Sequence, residues 1–208
     1  MKTLNYNELT IYQKIRNDII SGHLKKDEKI TETKLAKKYD VSRTPIREAL
    51  KQLKLEYFIK NSYIYTPTTE EYRQIFEMRI LLETYALKKA AIVYTNADLE
   101  ELKSYTEVEI SEENEAQILE TNDKFHQKII AATNNPFILD TYQKYKSFIY
   151  LFSQTVINKR RPGLIEEHRE IVTALFNRDI DLAVSLLESH LKNDLEFSLY
   201  YLDFKNNK

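Results

Sequence analysis

Between Thr31 and Leu50 the chain runs Thr-Glu-Thr-Lys-Leu-Ala-Lys-Lys-Tyr-Asp-Val-Ser-Arg-Thr-Pro-Ile-Arg-Glu-Ala-Leu, a pattern that suits two short helices joined by a tight turn. Leu35 and Ala36 are the apolar contacts of the first helix, which ends near Tyr39-Asp40, and Val41 is placed to plug the gap between the two. Ser42 is the N-cap residue of the second helix, where its hydroxyl can accept an orphan backbone N–H. Pro45 is tolerated because the first turn has no intrahelical use for that N–H. Ile46, Ala49, Leu50 and Leu53 follow the inward spacing. Ser42, Arg43, Thr44, Arg47 and Lys51 are thereby left on the outer side, or at the N-terminal end that enters a major groove in a helix-turn-helix. Arginine suits bidentate contact with guanine, and Thr44 contact with a phosphate.

The flanks extend the motif. Ile11, Ile15, Ile19 and Ile20 give Tyr12–Ser21 a helical stripe that Gly22 can close at a left-handed C′ position, with His23 in the following turn, solvated or against a phosphate. Downstream, the runs from Leu55 to Lys60 and from Tyr63 to Thr66 are rich in aromatic and β-branched residues and are broken by Asn61-Ser62, a hairpin signal. Helix, helix, turn, helix and hairpin make a winged helix-turn-helix over residues 1–66. This stretch holds 14 Lys and Arg against 8 Asp and Glu, whereas residues 67–208 hold 17 against 24. The basic part is therefore the polyanion binder.

Two glycines and four prolines in 208 residues leave room for long regular elements only. From Thr68 the pattern is helical. Thr68 and Glu71 have capping-box spacing. Ile75, Met78, Leu82, Tyr85 and Ala86 form the first apolar stripe, and Asn96 can cap a second helix. Helices follow over Ala116–Thr133, Pro136–Asn158, Gly163–Asn177 and Asp179–Phe204. The fold is thus mainly α, with about six helices over residues 67–208. The chain has no cysteine, so disulfides and thiolate sites are excluded. The N-terminus lacks a signal-type apolar core, and no run approaches the roughly 20 apolar residues that cross a bilayer, which points to a cytoplasmic protein without a membrane partner.

Three of the four histidines share helical faces with apolar residues: His126 with Ile118, Asn122 and Ile129, His168 with Leu164, Ile171 and Leu175, and His190 with Leu186, Leu187 and Asp194. A lone inward histidine is usually a hydrogen-bonded core residue. Three on three helices, with the oxygen donor Asn122 one turn before His126, point instead to a converging site suited to Zn, Ni or Mn. Arg79, on an otherwise apolar helix, can either clamp a carboxylate or form a buried ion pair with Glu83 at i+4. Arg160 and Arg161 read as loop surface, and the aromatic residues of Tyr142–Phe152 as core and dimer surface.

Ile19-Ile20-Ser21-Gly22, Leu35-Ala36 and Val41–Leu50 resemble the signature of the GntR family of bacterial winged-helix regulators. The chain departs from it at Lys26-Asp27, where the family has Pro-Gly, and at Tyr57 and Asn61-Ser62, where glycines are usual. Residues 67–208 resemble the FCD-type effector-binding and dimerisation domain of the FadR-like branch, through Arg79-x-x-x-Glu83, Asn122-Asp123-Lys124-Phe125-His126 with Asn135-Pro136, Glu167-His168-Arg169-x-Ile171 and His190-Leu191. The resemblance implies a metal held by Asn122, His126, His168 and His190. The first of these is commonly Asp in metal-binding members, and the carboxamide brings no charge. It also implies a small carboxylate metabolite bound at or near the metal, and a homodimeric repressor reading an inverted repeat of double-stranded DNA. A metal-dependent hydrolase with a DNA-binding appendage is the rival reading, since three histidines and an open position could activate water. No His-Glu-x-x-His motif or adjacent general base supports it.

Overall fold

The computed structural model describes residues 9–25, 29–65, 67–108, 114–153 and 161–206. They fall into two compact units, Met1–Tyr72 with Gln143–Val156, and Arg73–Tyr142 with Ile157–Lys208. Lys26-Asp27, Arg160 and the end of the helix expected to run to Asn158 lie outside the described residues.

In the first unit α1 (Ile11–Ile20), α2 (Glu32–Tyr39) and α3 (Arg43–Leu55) precede a hairpin of β1 (Ile59–Lys60) and β2 (Tyr63–Ile64). Thr10 and Gln13 close a full capping box on α1, and Thr31 caps α2 through the backbone N–H of Lys34. Ser42 holds the N-cap position of α3 as expected, but its side chain makes no capping hydrogen bond. Asp40 turns the chain between α2 and α3 in the left-handed conformation at φ 52°. Leu35, Ile46, Ala49, Leu50 and Leu53 are buried together with Ile15, Ile19, Phe58 and Ile64, and Val41 packs against this cluster. The hairpin pairs Ile59 with Ile64 and Lys60 with Tyr63. Its turn residues Asn61 and Ser62 both have positive φ, 52° and 66°, as a two-residue hairpin turn of the I′ kind demands. The Ile30 N–H donates to the Ser62 carbonyl at 2.7 Å, tying the segment before α2 to the wing. Tyr57, where the family favours glycine, sits at φ 61°, a position at which a bulky side chain carries strain.

Six further helices follow among the described residues: α4 (Thr69–Val93), α5 (Asn96–Ser104), α6 (Glu115–Ala131), α7 (Pro136–Ser153), α8 (Leu164–Phe176) and α9 (Ile180–Asn206). Thr68 and Glu71 exchange both arms of the expected capping box. The cap of α5 is Thr95, one residue earlier than expected, because Asp98 stands three residues on and completes a box with it. The buried face of α4 is Tyr72, Phe76, Arg79, Glu83, Leu87 and Ala90. The expected stripe was rotated from it: Tyr85 is 47 % exposed, and Ala86 alone of its members is buried. The displacement has a chemical cause, since two charged residues lie on the inner face and an apolar count passes over them. Tyr142 and Tyr145 of α7 are buried. The turn from α8 to α9 places Arg178 at φ 59°, and its guanidinium donates to the Ala91 carbonyl.

Candidate functional site

His126 on α6, His168 on α8 and His190 on α9 converge in the second unit and are almost completely buried. Nε2 of His190 lies 3.1 Å from Nε2 of His168 and 3.3 Å from Nε2 of His126. The three histidines offer ligand atoms that all lie within 4.8 Å of one another. Neighbouring ligands of one Zn ion, at bond lengths of about 2.0–2.1 Å in tetrahedral array, stand about 3.3 Å apart, so Nε2 of His190 stands from each of the other two as a neighbouring ligand would.

The outer nitrogen sets the tautomer of His126. Nδ1 of His126 is 2.6 Å from Oε2 of Glu83, and Nδ1 of His190 is 2.8 Å from Oε2 of Glu167. A carboxylate can only accept, so Nδ1 of His126 carries the proton and its Nε2 turns a lone pair inward, whereas Nδ1 of His190 faces both Glu167 and Nη2 of Arg161, a pure donor 2.9 Å away. Carboxylates behind histidines are the usual outer partners of metal-binding imidazoles. Nδ1 of His168 has no partner, and its ring stacks on Phe125 with centroids 3.8 Å apart. Asn122 Oδ1, one turn before His126 on α6, is likewise buried without a hydrogen-bond partner. An orphaned carboxamide oxygen one turn from His126, together with three converging imidazoles, is a donor set a divalent cation would satisfy. The carboxylate of Asp123, the residue after Asn122, accepts from Gln127.

Around this cluster runs a buried charge network that sequence reasoning found only in part. Arg79 Nε donates to Glu83 at 2.6 Å, the i+4 alternative, and its Nη1 reaches Asp194 Oδ2 at 3.3 Å. Arg161, expected on the surface, is 8 % exposed. Its Nε donates to Asp194 Oδ1 at 2.7 Å, and its two Nη groups donate to Glu167. The Arg-Arg-Pro-Gly stretch resembles an exposed loop in sequence, but the bidentate carboxylates that draw Arg161 inward come from α8 and α9. Asp194 Oδ2 also lies 3.5 Å from Nε2 of His190. Glu167 and Asp194 carried a faint signal, one standing next to His168 and the other sharing the face of His190.

Burial opposes ionisation of Glu83, yet Arg79 and His126 overcome it and hold its pKa down to about 2. Glu167 is likewise held at about 2, its burial outweighed by His190, Arg161 and Asn193. Burial also opposes ionisation of Asp194, and His190, Arg79 and Arg161 keep it a carboxylate. His126 is pushed below its ordinary range by burial despite Glu83. His168 is pushed well below by burial and by the two neighbouring imidazoles. Neutral rings are what metal ligation needs.

In the first unit Arg43, Thr44, Arg47 and Lys51 are all exposed on α3, as is Ser42 at its start. Arg47 is not idle: its Nε and Nη2 donate to Oε1 and Oε2 of Glu32, each at 3.0 Å. His23 is exposed, with Nδ1 2.7 Å from Ser21 Oγ.

A winged helix-turn-helix joined to a helical domain with a buried polar centre is the build of a ligand-responsive transcriptional regulator. The chain belongs to the GntR family: residues 7–60 match the model of the bacterial regulatory proteins of the gntR family, and residues 74–193 match the FCD domain. It is 28% identical over 211 residues to the uncharacterised HTH-type transcriptional regulator YdhC of Bacillus subtilis, covering 94% of this chain and 92% of that protein. It is 27% identical over 190 residues to the gluconate operon transcriptional repressor of Bacillus licheniformis, covering 85% and 78%. Among solved structures, E. coli McbR/YncC superposes with a TM-score of 0.75 at 19% identity, over 95% of this chain and 99% of that one, a likeness of fold. The family is one of transcriptional regulators, and the hydrolase reading finds no support in it. Among the described residues no helix is long and apolar enough to cross a membrane.

Proposed function

We propose that this regulator reads an inverted repeat as a homodimeric repressor through α3, and that its helical domain binds a divalent transition ion through His126, His168, His190 and Asn122. Zn is the first choice, with Ni and Mn as rivals. The observation that carries the metal reading is the set of three buried imidazoles, two of them backed by carboxylates at Nδ1. The bound ion would supply a positive centre for a small carboxylate effector. Arg79 and Arg161 are the cations that could clamp the same carboxylate, but both already hold Asp194. An effector anion therefore meets them only by taking the place of Asp194, and that exchange is how ligand binding would shift α9, which carries both Asp194 and His190. The relative named for the gluconate operon is consistent with a polar, carboxylate-bearing effector class.

Titration calorimetry of chelator-stripped protein with Zn, Ni and Mn tests the metal reading. Uptake of one ion per chain with a raised melting temperature is expected, since a ligand bound only by the folded state stabilises it. If none of the three ions is taken up, the histidines are core residues around a purely organic pocket. For the DNA face, Arg47→Ala should cost about 1–3 kcal/mol at the operator and relax base preference locally, while Lys51→Ala should weaken operator and scrambled duplex alike. Fluorescence anisotropy on the two duplexes separates these outcomes.

A further inference from the structure

Glu32 stands in the first turn of α2, fifteen residues before Arg47, and meets it across the space between α2 and α3. Both helices are fixed from behind, α2 by Leu35 and α3 by Ile46, Ala49 and Leu50. The pair is therefore an encounter between two rigid elements at the face offered to DNA. It is also open: the side chains of Arg47 and Glu32 are 64% and 34% exposed. Glu32 lies within electrostatic reach of Arg43 and Lys54 as well, one acid among the basic groups of this face.

The geometry of the pair decides what it can do. A guanidinium has five N–H donors and two edges that present a parallel pair of them. Glu32 occupies one edge, through Nε and Nη2. The other edge, formed by Nη1 with the second N–H of Nη2, makes no hydrogen bond among the described residues. That edge presents a parallel donor pair of the kind that guanine O6 and N7 accept.

We propose that Glu32 is a specificity-determining positioning residue, which holds Arg47 with one edge of its guanidinium engaged and the other presented to a guanine. The inference rests on the reading of α3 as the recognition helix. Two consequences follow, one for DNA of any sequence and one for the cognate site. The neutralised pair attracts phosphate less than a bare arginine would, so sequence-independent binding is weakened. A side chain already fixed loses less freedom when it meets its base, so the cognate complex keeps its hydrogen bonds at a lower entropic cost. Both effects widen the gap between operator and random DNA.

The test uses the full chain, an operator duplex enriched from a random pool by the wild-type protein, and a scrambled duplex of the same composition. Affinities are measured by fluorescence anisotropy across a salt series for wild type, Glu32→Gln, Arg47→Ala, Arg47→Lys and the double variant Glu32→Gln/Arg47→Ala. Circular dichroism melts verify folding, and Glu48→Gln, an exposed acid on α3 without a hydrogen bond to Arg47, controls for loss of charge alone. Glu32→Gln should bind the scrambled duplex about threefold to tenfold tighter, with a salt slope steeper by about one unit as Arg47 becomes a free phosphate contact. Its ratio of operator to scrambled affinity should fall by about fivefold or more. Arg47→Lys, which keeps the charge and loses the fork, should lower the same ratio, and in the Arg47→Ala background the Glu32 substitution should leave it unaltered. If Arg47→Ala collapses the ratio while Glu32→Gln leaves it intact, or if Glu48→Gln reproduces the Glu32→Gln effect, the positioning role is overturned and the recognition helix stands. If Arg47→Ala leaves the ratio intact, the base-reading role of Arg47 fails, and the role of Glu32 fails with it.

Discussion

His168 enters the cluster with one ring nitrogen unpartnered, and Asn122 does the same with its carboxamide oxygen. A buried polar atom left without a partner costs about 1–3 kcal/mol, so both residues are destabilising unless something else occupies the site. His168 should matter most to metal uptake, because no outer hydrogen bond compensates its burial. Replacing it with Ala is expected to lower Zn affinity by more than about a hundredfold, beyond what losing an outer partner alone produces. Asn122→Asp should tighten binding by adding charge, and Asp123→Ala should change little because that carboxylate is engaged with Gln127. Calorimetry on stripped protein ranks the three, and a His168→Ala variant that binds as tightly as wild type removes the metal assignment. Asp194 carries a separate expectation. It faces two buried guanidiniums, and removing one partner of a buried pair typically costs about 3–5 kcal/mol. Asp194→Asn should therefore melt well below wild type while binding a small carboxylate probe such as lactate more tightly. A variant that melts lower with no gain in lactate affinity would leave Asp194 a purely structural residue.

At the level of elements, α3 was legible because its inner residues are all apolar: Ile46, Ala49, Leu50 and Leu53 are inward in the sequence pattern and buried in the structure. The same reasoning misplaced the inner face of α4, since Arg79 and Glu83 occupy it and become inner residues only when α6 and α9 supply His126 and Asp194. Arg161 was illegible for the same reason, its partners lying 6 and 33 residues away on two helices. The histidines could be read because imidazole on an apolar face is conspicuous. Their packing on α6, α8 and α9 makes the metal-free domain acid-sensitive, and the sign is fixed by the direction of the shifts. His126 and His168 have folded pKa values below the ordinary 6.5, so the unfolded chain binds more protons as pH falls through that value, and stability is lost. Each fully linked proton is worth about 1.36 kcal/mol per pH unit, or roughly 3–5 °C in melting temperature for a chain of this size. A second loss should follow between the ordinary glutamate value of 4.5 and about 2, where Glu83 and Glu167 protonate. Thermal melts of chelator-stripped protein from pH 7.5 to 5 should show the first decline, and a flat profile would contradict neutral buried histidines.

For the whole molecule the unresolved demand is affinity, because one recognition helix with its wing reads only a few base pairs. Pairing two copies adds the binding of two modules on half-sites related by the dyad, and a closed two-fold pair needs one self-complementary surface. The second unit offers a candidate on α4. Leu81 and Ile92 are 71% and 73% exposed and Tyr85 is 47% exposed. At 100° per residue these three lie within about 40° of one another around the helix axis, away from the buried Arg79 and Glu83. Exposed apolar residues aligned along one helix face are a recognisable protein-contact surface, and on the proposed dimeric reading its occupant is a second copy of the chain. Light scattering at micromolar concentration should therefore give a dimer, and Leu81→Glu with Ile92→Glu should give a folded monomer that still takes up metal. That variant should bind a full inverted repeat no more tightly than a single half-site, since the two modules then act separately. A wild-type monomer with and without operator would defeat the dimer, whereas a double variant that remains dimeric would move the contact to another face of the helical domain.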